Sequence, residues 1–237
     1  MTPSPPIPSK PIPSKTAVVT GASSGIGEAT VNRLLADGWE VIGLSRRAPD
    51  VEDAAFRWVG VDLGNFTELE ERVSDFHALD AIVHAAGLQH SAPLGQLRVE
   101  HGLQMWRIHV GAAEVLVNAL APHLRDGARV VLVGSRTMTG SPGKSQYVAT
   151  KSALTGMARS WAAELADRAI TVNVVAPGPT DTPMLADPGR HLTPPKLPPF
   201  GRFVAPEDVA GLIAFLLGPH GRSITGQAIV QCAGASL

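Results

Sequence analysis

Short apolar runs alternate with stretches of helical spacing along most of the chain. Seven of these runs, rich in β-branched and small apolar residues, predict strands at residues 17–20, 39–44, 56–61, 81–83, 129–134, 170–175 and 227–231. Apolar side chains recur at helical spacing in residues 28–36, 66–76, 98–123, 145–166 and 206–217. Because strands and helices alternate, we expect one α/β domain with a doubly wound, mostly parallel seven-stranded sheet and helices on both faces.

Two segments depart from this alternation. Residues 1–15 contain a tandem repeat, Pro6–Lys10 and then Pro11–Lys15, whose prolines forbid helix and strand pairing and predict an extended arm before a domain of residues 16–237. A polyproline ligand, a solvated tail and an arm lying on a neighbouring subunit all remain open. Residues 182–204 hold six prolines without periodicity, and so long a loop predicts a cover over a substrate site.

A glycine-rich turn follows the first predicted strand and precedes the first predicted helix. It reads Thr20-Gly-Ala-Ser-Ser-Gly-Ile-Gly27. Glycines permit a sharp exit from the strand and a close approach of the backbone to a diphosphate. The free N–H groups of the first helical turn then favour an anion, so the turn predicts a phosphate cradle for a nucleotide.

The carboxyl ends of the predicted strands carry the other candidate residues. In parallel α/β sheets ligands bind at that edge. Six residues that fall there are Gly21, Arg46, Asp62, Gly87, Ser135 and Pro177.

Ser135, Tyr147 and Lys151 form the candidate catalytic group. Tyr147 and Lys151 are four residues apart in a predicted helix and therefore share one face. A lysine ammonium beside a phenol favours the phenolate, whose ordinary pKa is about 10, and makes a proton exchanger for neutral pH. Ser135, at a strand end, is suited to hold a substrate oxygen. A surface Tyr–Lys pair is the alternative, but this is the single tyrosine of the chain and follows the phosphate turn.

Composition narrows the function class. The net charge is −1, which gives no basic field for nucleic acid or anionic membranes. The single cysteine, Cys232, leaves no internal disulfide or cysteine-based metal cluster, and the histidines lack metal-ligand spacing, so we expect no metal site. No apolar run approaches the roughly 20 residues of a membrane span. We expect a cytoplasmic protein.

Together these motifs resemble the classical short-chain dehydrogenase/reductase family. The resemblance runs from about Thr16 to the C-terminus. It rests on the glycine turn, Ser135, the Tyr147–Lys151 pair, Pro177-Gly178 with its following threonines, and the segment from Gly201 to Ala210. It implies a Rossmann fold, a nicotinamide cofactor, and a dimer or tetramer formed by pairing of the two long helices across a two-fold axis.

The resemblance also implies roles for individual residues. Tyr147 corresponds to the general acid/base, Lys151 to the residue that lowers its pKa and binds the nicotinamide ribose, and Ser135 to the group that polarises the carbonyl. The predicted cofactor contacts are Gly21, Ser23, Ser24, Gly25, Ile26, Gly27, Ser45, Arg46, Arg47, Asp62, Leu63, Ala85, Ala86, Gly87, Tyr147, Lys151, Pro177, Gly178, Thr180 and Thr182.

Two departures from the family pattern involve histidines. After the fourth strand the family usually has Asn-Asn-Ala-Gly, whereas this chain has His84-Ala85-Ala86-Gly87. We expect His84 to brace the strand. His109 stands where the family usually has an asparagine of the proton relay. Imidazole can shuttle protons near neutral pH, so a catalytic relay role and a simple packing role for His109 both stay open.

The end of the second strand bears on the cofactor. It reads Ser45-Arg46-Arg47 and has no acidic residue to hold ribose hydroxyls or repel a 2′-phosphate. A guanidinium can bind phosphate with two hydrogen bonds. We therefore expect a preference for NADP(H), with NAD(H) not excluded and plain solvation of the arginines as the alternative.

The leading hypothesis is an NADP(H)-dependent oxidoreductase that transfers hydride between nicotinamide and a small carbonyl or secondary alcohol. The alternatives are an NAD-dependent sugar or dihydrodiol dehydrogenase, and a nucleotide-binding regulatory protein that has lost turnover.

Overall fold

The computed structural model describes residues 14–187 and 192–237, which form a single sheet covered by helices. The strands are β1 (Thr16–Thr20), β2 (Glu40–Ser45), β3 (Phe56–Gly60), β4 (Leu79–His84), β5 (Leu124–Val133), β6 (Thr171–Pro177) and β7 (Ala228–Gln231). The α-helices are α1 (Gly25–Ala36), α2 (Phe66–Val73), α3 (Val99–Trp106), α4 (Ala112–Leu120), α5 (Ser145–Glu164) and α6 (Pro206–Leu217). A π-helical turn, Arg107–Gly111, joins α3 to α4, and short 3₁₀ turns lie at Ala121–His123, Arg136–Thr139, Ala166–Arg168 and Pro219–Gly221.

The seven strands lie in the order β3-β2-β1-β4-β5-β6-β7, and each neighbouring pair is parallel. From the centre of the sheet, β1, β2 and β3 follow one another towards one edge, and β4 to β7 follow one another towards the other edge. The chain therefore crosses from one half of the sheet to the other between β3 and β4. This is the doubly wound Rossmann arrangement expected from the sequence. All strands present their carboxyl ends at one edge, and a crevice opens there at the switch between β1 and β4.

Alternating side chains of the strands fill two separate cores, one on each face. On β1, Val18 faces the core that α2, α4 and α5 cover, whereas Ala17 and Val19 face the core that α1 and α6 cover. The same alternation continues along β5, where Val130 and Val131 point to opposite faces. Because both faces of the inner strands are buried, these strands read as nearly continuous apolar runs in the sequence.

The connection from β2 to β3 contains no helix in the described residues, because segment 48–55 is too short for a full crossover helix. Gly27, at the start of α1, allows that helix to pack close to β1. A Cβ at this position would lie 2.2 Å from the carbonyl oxygen of Gly21, a distance that no side chain can tolerate. Gly27 is therefore required for packing between the glycine turn and α1.

The prediction of a helical segment over residues 98–123 is confirmed, since helical turns run without a gap from Val99 to His123. The π-helical turn at Arg107–Gly111 interrupts the α-helical geometry, and each residue inserted into a helix rotates the following face by about 100°. Leu103 and Trp106 have the same helical spacing as Val110 and Leu120, but they are 64% and 48% exposed, whereas Val110 and Leu120 are buried. The π-helical turn thus lies between an exposed apolar stripe on α3 and a buried apolar face on α4.

Residues 1–13 of the predicted arm and residues 188–191 of the predicted covering loop lie outside the described residues. Of the arm, Ser14 and Lys15 are described. The Lys15 carbonyl accepts a 2.8 Å hydrogen bond from the Glu40 N–H, and the Lys15 ammonium lies 5.1 Å from the ring centre of Trp39. These contacts place the start of the domain beside the amino end of β2.

No helix in the described part of the chain has the length and apolar character needed to span a membrane. Within residues 14–187 and 192–237, no group of three or more histidine, cysteine or acidic side chains is placed to hold a metal ion.

Candidate active site

A cavity of about 320 Å³ lies at the carboxyl edge of the sheet. Its wall is formed by the residues that follow β1 to β6, together with α5 and the segment after β6. It brings together nearly all the residues predicted from the sequence, namely Gly21, Ser23, Ser24, Gly25, Ile26, Ser45, Arg46, Arg47, Asp62, Leu63, Ala85, Ala86, Gly87, His109, Ser135, Tyr147, Lys151, Pro177, Gly178, Thr180 and Thr182. Gly27 does not line the cavity.

The glycine turn forms the floor at the β1 end of the cavity. Gly21 and Gly25 have φ values of +71° and +57°, which favour glycine over other residues. A Cβ at Gly21 would lie 3.0 Å from the Ala86 backbone, so the turn packs directly on the segment after β4. Ser24 is the N-cap of α1 but makes no side-chain capping bond, which leaves N–H groups of the first turn directed at the cavity. This cradle fits a diphosphate.

The end of β2 presents two exposed arginines. The Ser45 hydroxyl donates a 2.7 Å hydrogen bond to the Arg47 carbonyl, and the Trp58 indole N–H donates to the Ser45 carbonyl at 3.2 Å. These bonds hold the turn that carries Arg46 and Arg47. Neither arginine forms a side-chain hydrogen bond or ion pair with any residue among 14–187 and 192–237. Their guanidinium groups suit a phosphate on the adenosine ribose.

Tyr147 and Lys151 lie side by side on the buried face of α5. Tyr147 is 8% exposed and Lys151 is 4% exposed, and the lysine Nζ lies 6.0 Å from the centre of the tyrosine ring. Lys151 donates a 2.8 Å hydrogen bond to the Val133 carbonyl at the end of β5. Burial lowers the pKa of Lys151 to about 7, because the ammonium loses hydration that one carbonyl does not replace.

Ser135 lies at the end of β5 on the same cavity wall. Its hydroxyl is hydrogen-bonded to the Thr137 hydroxyl at 2.9 Å and accepts from the Thr137 N–H at 3.2 Å. Both bonds fix the serine oxygen at the first turn of the 3₁₀ segment. The serine, the tyrosine and the lysine therefore face a single cavity, as the sequence predicts.

His84 braces the ends of β1 and β4. The Thr20 hydroxyl accepts 3.1 Å hydrogen bonds from the Ala85 and Ala86 N–H groups, so its own hydrogen is directed to His84 Nδ1 at 3.0 Å. The opposite nitrogen, Nε2, then carries the proton and donates to the Ile108 carbonyl at 3.0 Å. Full burial lowers the pKa of His84 to about 3, so the ring is neutral.

His109 has the opposite tautomer. Its Nε2 accepts a 3.1 Å hydrogen bond from the Leu88 N–H, which can only donate, so the proton resides on Nδ1 and is donated to the Thr150 hydroxyl at 2.8 Å. Thr150 in turn donates to the Tyr147 carbonyl at 2.9 Å. Burial, and then the nearby Lys151 charge, lower the pKa of His109 well below its usual value.

The π-helical turn positions both histidine contacts. Ile108, which accepts from His84, and His109 are consecutive in that turn. The His109 ring lies edge-on to the Tyr147 ring with centres 5.6 Å apart. Two sets of hydrogen bonds, joined through the Ile108–His109 peptide bond, thus run from Thr20 through both histidines to α5.

The remaining predicted cofactor contacts lie at both ends of the cavity. Asp62 follows β3, and its carboxylate accepts a 2.9 Å bond from the Gly64 N–H. Pro177 and Gly178 end β6, and the Thr180 hydroxyl donates to the Gly178 carbonyl at 3.1 Å. A Cβ at Gly25 would lie 3.0 Å from the Thr182 side chain, so this segment closes over the glycine turn.

Several cavity residues were not identified from the sequence. Leu88, Gln89, Arg136, Thr137 and Lys144 all line the cavity. Because Arg136 and Thr137 directly follow Ser135, their position at the end of a predicted strand could have identified them as cavity residues. Of the apolar residues in the predicted covering loop, Met184 and Leu185 line the cavity, whereas Leu197 and Phe200 are 59% and 71% exposed.

Comparison with known proteins gives consistent matches across the chain. A family model described as enoyl-(acyl carrier protein) reductase matches residues 21–236. The 3-oxoacyl-(acyl-carrier-protein) reductase FabG of Thermotoga maritima is 32% identical over 234 residues, which cover 91% of this chain and 95% of that protein. The cyclic-di-GMP-binding biofilm dispersal mediator protein of Escherichia coli is 32% identical over 222 residues, 90% of this chain and 93% of the relative.

A solved structure supports the same family. A short-chain dehydrogenase from Burkholderia cenocepacia, crystallised in complex with NADP, is 32% identical and superposes with a TM-score of 0.84, covering 94% of this chain and 98% of that chain. The parallel sheet, the glycine cradle and the Ser135–Tyr147–Lys151 group are consistent with this match. The chain is an NAD(P)-dependent oxidoreductase of the short-chain dehydrogenase/reductase family.

Proposed function

We propose that the protein is an NADP(H)-dependent oxidoreductase that interconverts a carbonyl group and a secondary alcohol, with Tyr147 as the general acid/base. The observation that carries this proposal is the sharing of one cavity by the glycine cradle and the buried Tyr147–Lys151 pair. A phosphate cradle alone would suit any nucleotide. A buried phenol beside a lysine at the far end of the same cavity adds a group that can move a proton.

In the direction of reduction, the Ser135 hydroxyl donates a hydrogen bond to the substrate carbonyl oxygen. The Tyr147 hydroxyl then gives its proton to that oxygen as the alcohol forms. The bound nicotinamide supplies the hydride. The phenolate left on Tyr147 is stabilised by the Lys151 ammonium, whose Nζ lies 6.0 Å from the ring centre. Oxidation reverses each of these steps.

Lys151 has a second task in this proposal. Because burial lowers its pKa to about 7, the ammonium is only partly retained near neutral pH in the free protein. An anionic cofactor in the cavity favours the charged form. Cofactor binding and activation of Tyr147 are therefore coupled through the charge of one lysine.

The preference for NADP(H) is proposed from Arg46 and Arg47. They are exposed, line the β2 end of the cavity, and have no carboxylate partner in the described part of the chain. The neighbour from Burkholderia cenocepacia contains NADP, which supports the same cofactor here. Asp62, the acidic residue that lines the cavity, follows β3 and is expected to lie beside the adenine.

His109 is proposed to position the active site and not to relay protons. Both ring nitrogens are already engaged, by the Leu88 N–H and the Thr150 hydroxyl. A relay requires protonation of Nε2, which would break the bond from Leu88 and is opposed by burial and by the Lys151 charge. The network instead holds the segment after β4 against the helix that carries Tyr147.

We also propose that the protein forms a dimer or tetramer through α3, α4 and α5. Val99, Leu103 and Trp106 form an exposed apolar stripe on α3, with exposures of 69%, 64% and 48%. A stripe of that kind is typical of an interface.

Cys232 is the one cysteine of the sequence, which supports a reducing compartment such as the cytoplasm. Residues 182–204 are proposed to cover the substrate, since Met184 and Leu185 line the cavity.

The decisive experiment measures NADPH and NADH oxidation over a panel of ketones, aldehydes and acyl thioesters, with cofactor binding measured in parallel by fluorescence. Turnover that Tyr147→Phe removes supports the proposal. The rival is a regulatory protein without turnover, which the similarity to the cyclic-di-GMP-binding relative favours. Tight cofactor or cyclic-di-GMP binding without turnover on any substrate would favour that rival.

A further inference from the structure

Arg136 occupies a distinctive place in the cavity wall. It stands between Ser135 and Thr137, at the first position of the 3₁₀ segment that follows β5. It is partly buried and lines the cavity. Because it is next to the serine proposed to hold the carbonyl oxygen, its side chain belongs to the substrate end of the cavity.

The charge of Arg136 is not compensated by the protein. Other arginines, including Arg33, Arg72, Arg98, Arg125, Arg168 and Arg202, lie within 4.0 Å of a carboxylate. The Arg136 side chain makes no hydrogen bond and no ion pair with any residue among 14–187 and 192–237. A partly buried guanidinium without a partner has lost hydration that nothing in the fold replaces, so an incoming anion would gain by pairing with it.

The acidic residue of the cavity wall is too distant to serve as the partner. Asp62 follows β3, and four strand spacings separate β3 from β5 in the sheet order. At about 4.8 Å for each spacing, this distance is roughly 19 Å.

The cofactor phosphates do not reach Arg136 in the proposed binding mode either. The diphosphate cradle follows β1, and Arg46 and Arg47 follow β2, respectively two and three strand spacings from β5. The cavity therefore has two separate basic regions. One lies at the adenosine end, and Arg136 lies at the substrate end.

We infer that Arg136 is an anion-binding subsite for a carboxylate or phosphate group carried by the carbonyl substrate. This inference rests on the proposed function and deepens it by naming a substrate class. With the carbonyl oxygen at Ser135 and Tyr147, a guanidinium on the next residue along the chain selects substrates whose anionic group is a few bonds from the carbonyl carbon. Two N–H groups of the guanidinium then bind two oxygens of the anion.

The test uses two matched pairs of substrates that differ in charge. They are levulinate with methyl levulinate, and dihydroxyacetone phosphate with dihydroxyacetone. We expect the native protein to favour the anionic member of one pair in kcat/KM for NADPH-dependent reduction. Arg136→Gln should lower that preference by about 10- to 100-fold, the range of a hydrogen bond to a charged group. A lowered preference in the levulinate pair would identify the anion as a carboxylate, and a lowered preference in the dihydroxyacetone phosphate pair would identify it as a phosphate.

Two variants sharpen the measurement. Arg136→Lys keeps the charge but loses the two-pronged geometry, so it should retain part of the preference. Arg72→Gln removes a surface arginine that lies 3.9 Å from Glu68 and does not line the cavity, and it should leave the preference unchanged. A loss of preference in Arg72→Gln as well as in Arg136→Gln would contradict a local subsite, because both variants change the net charge equally.

A binding measurement separates this inference from the proposed function. Isothermal titration of NADP-loaded protein with 4-methylpentanoate and its amide, and with inorganic phosphate, requires no turnover. Anion binding that weakens at least tenfold in Arg136→Gln supports the subsite even if no ketone is reduced. The inference is overturned if the substrate pairs are reduced without a charge preference, or if anions bind no better than the amide. In either case reduction of neutral ketones would leave the proposed function intact.

Discussion

The backbone N–H of Leu88 donates a 3.1 Å hydrogen bond to Nε2 of His109, and this contact determines the state of the histidine. Because a backbone N–H cannot accept, the imidazole must carry its proton on Nδ1, from which it bonds to Thr150 at 2.8 Å. Thr150 extends the network to the Tyr147 carbonyl. A histidine at a position where an asparagine is usual in the family therefore connects the segment after β4 to the helix that carries the proposed acid/base.

This arrangement leads to a kinetic prediction for His109→Asn. If His109 only positions its neighbours, the variant should keep kcat within about tenfold, or about 1.4 kcal/mol of barrier, and leave the pH profile of kcat unchanged. His109→Leu removes both hydrogen bonds and should be more harmful, since it leaves the partly buried Leu88 N–H without its acceptor. A shifted pH profile in His109→Asn would indicate a proton relay through the imidazole.

The proton-transfer role of Tyr147 is tested by Tyr147→Phe, which keeps the ring and removes the hydroxyl. General acid–base catalysis is typically worth about 10²–10⁴-fold, and we expect a loss of kcat at least in that range. Cofactor affinity, measured by fluorescence titration, should change little because the glycine cradle is untouched. Native turnover in Tyr147→Phe would contradict the mechanism.

The cofactor preference is tested by Arg46→Asp. The change removes a proposed phosphate partner and adds a charge that repels a 2′-phosphate, so NADPH affinity should fall at least about tenfold while NADH affinity is kept or improved. Arg72→Asp, on the surface of α2, is the matched control and should not change the ratio of the two affinities. Equal affinity of the native protein for both cofactors would disprove the preference.

The two buried histidines should make the protein sensitive to acid. Their pKa values in the folded state lie below the ordinary value of 6.5, that of His84 at about 3, so the unfolded state binds more protons as the pH falls from about 6.5. Stability is therefore highest above this range and decreases on acidification, by up to about 1.4 kcal/mol per pH unit for each histidine.

Urea unfolding at pH 7.5 and pH 5.5 measures this effect. The double variant His84→Asn/His109→Asn should show a smaller loss of unfolding free energy between the two pH values than the native protein. His220→Asn, at an exposed position, should lose as much as the native protein. An unchanged loss in the double variant would mean that other groups cause the acid sensitivity.

Assembly is tested by light scattering at micromolar concentration, where we expect a dimer or tetramer. Leu103→Glu places a charge in the exposed stripe of α3 and should lower the association constant by about tenfold or more. Leu94→Glu, which is 90% exposed in the native protein and precedes the helix, is the control. A native protein that is monomeric under these conditions would refute the proposed interface.

Much of the site was accessible from the sequence because it is encoded locally. The glycine turn, the four-residue spacing of Tyr147 and Lys151, and the apolar strands are each contained in a short segment. In a parallel sheet the carboxyl ends of all strands meet at one edge, so residues far apart in sequence were correctly assigned to one cavity. Family membership followed from the combination of these segments.

Tertiary structure alone decided the features that depend on partners from distant segments. The π-helical turn before α4 exposes Leu103 and Trp106, although their spacing resembles that of a buried helical face. The tautomers of His84 and His109 depend on hydrogen bonds to Thr20, Ile108, Leu88 and Thr150, which the sequence does not bring together by spacing. Likewise, an unpaired Arg136 differs from a paired one only by the absence of a carboxylate nearby, and that depends on how the whole sheet is ordered. Periodicity and motif spacing report contacts along one element, whereas burial and hydrogen-bond pairing arise only when separate elements pack together.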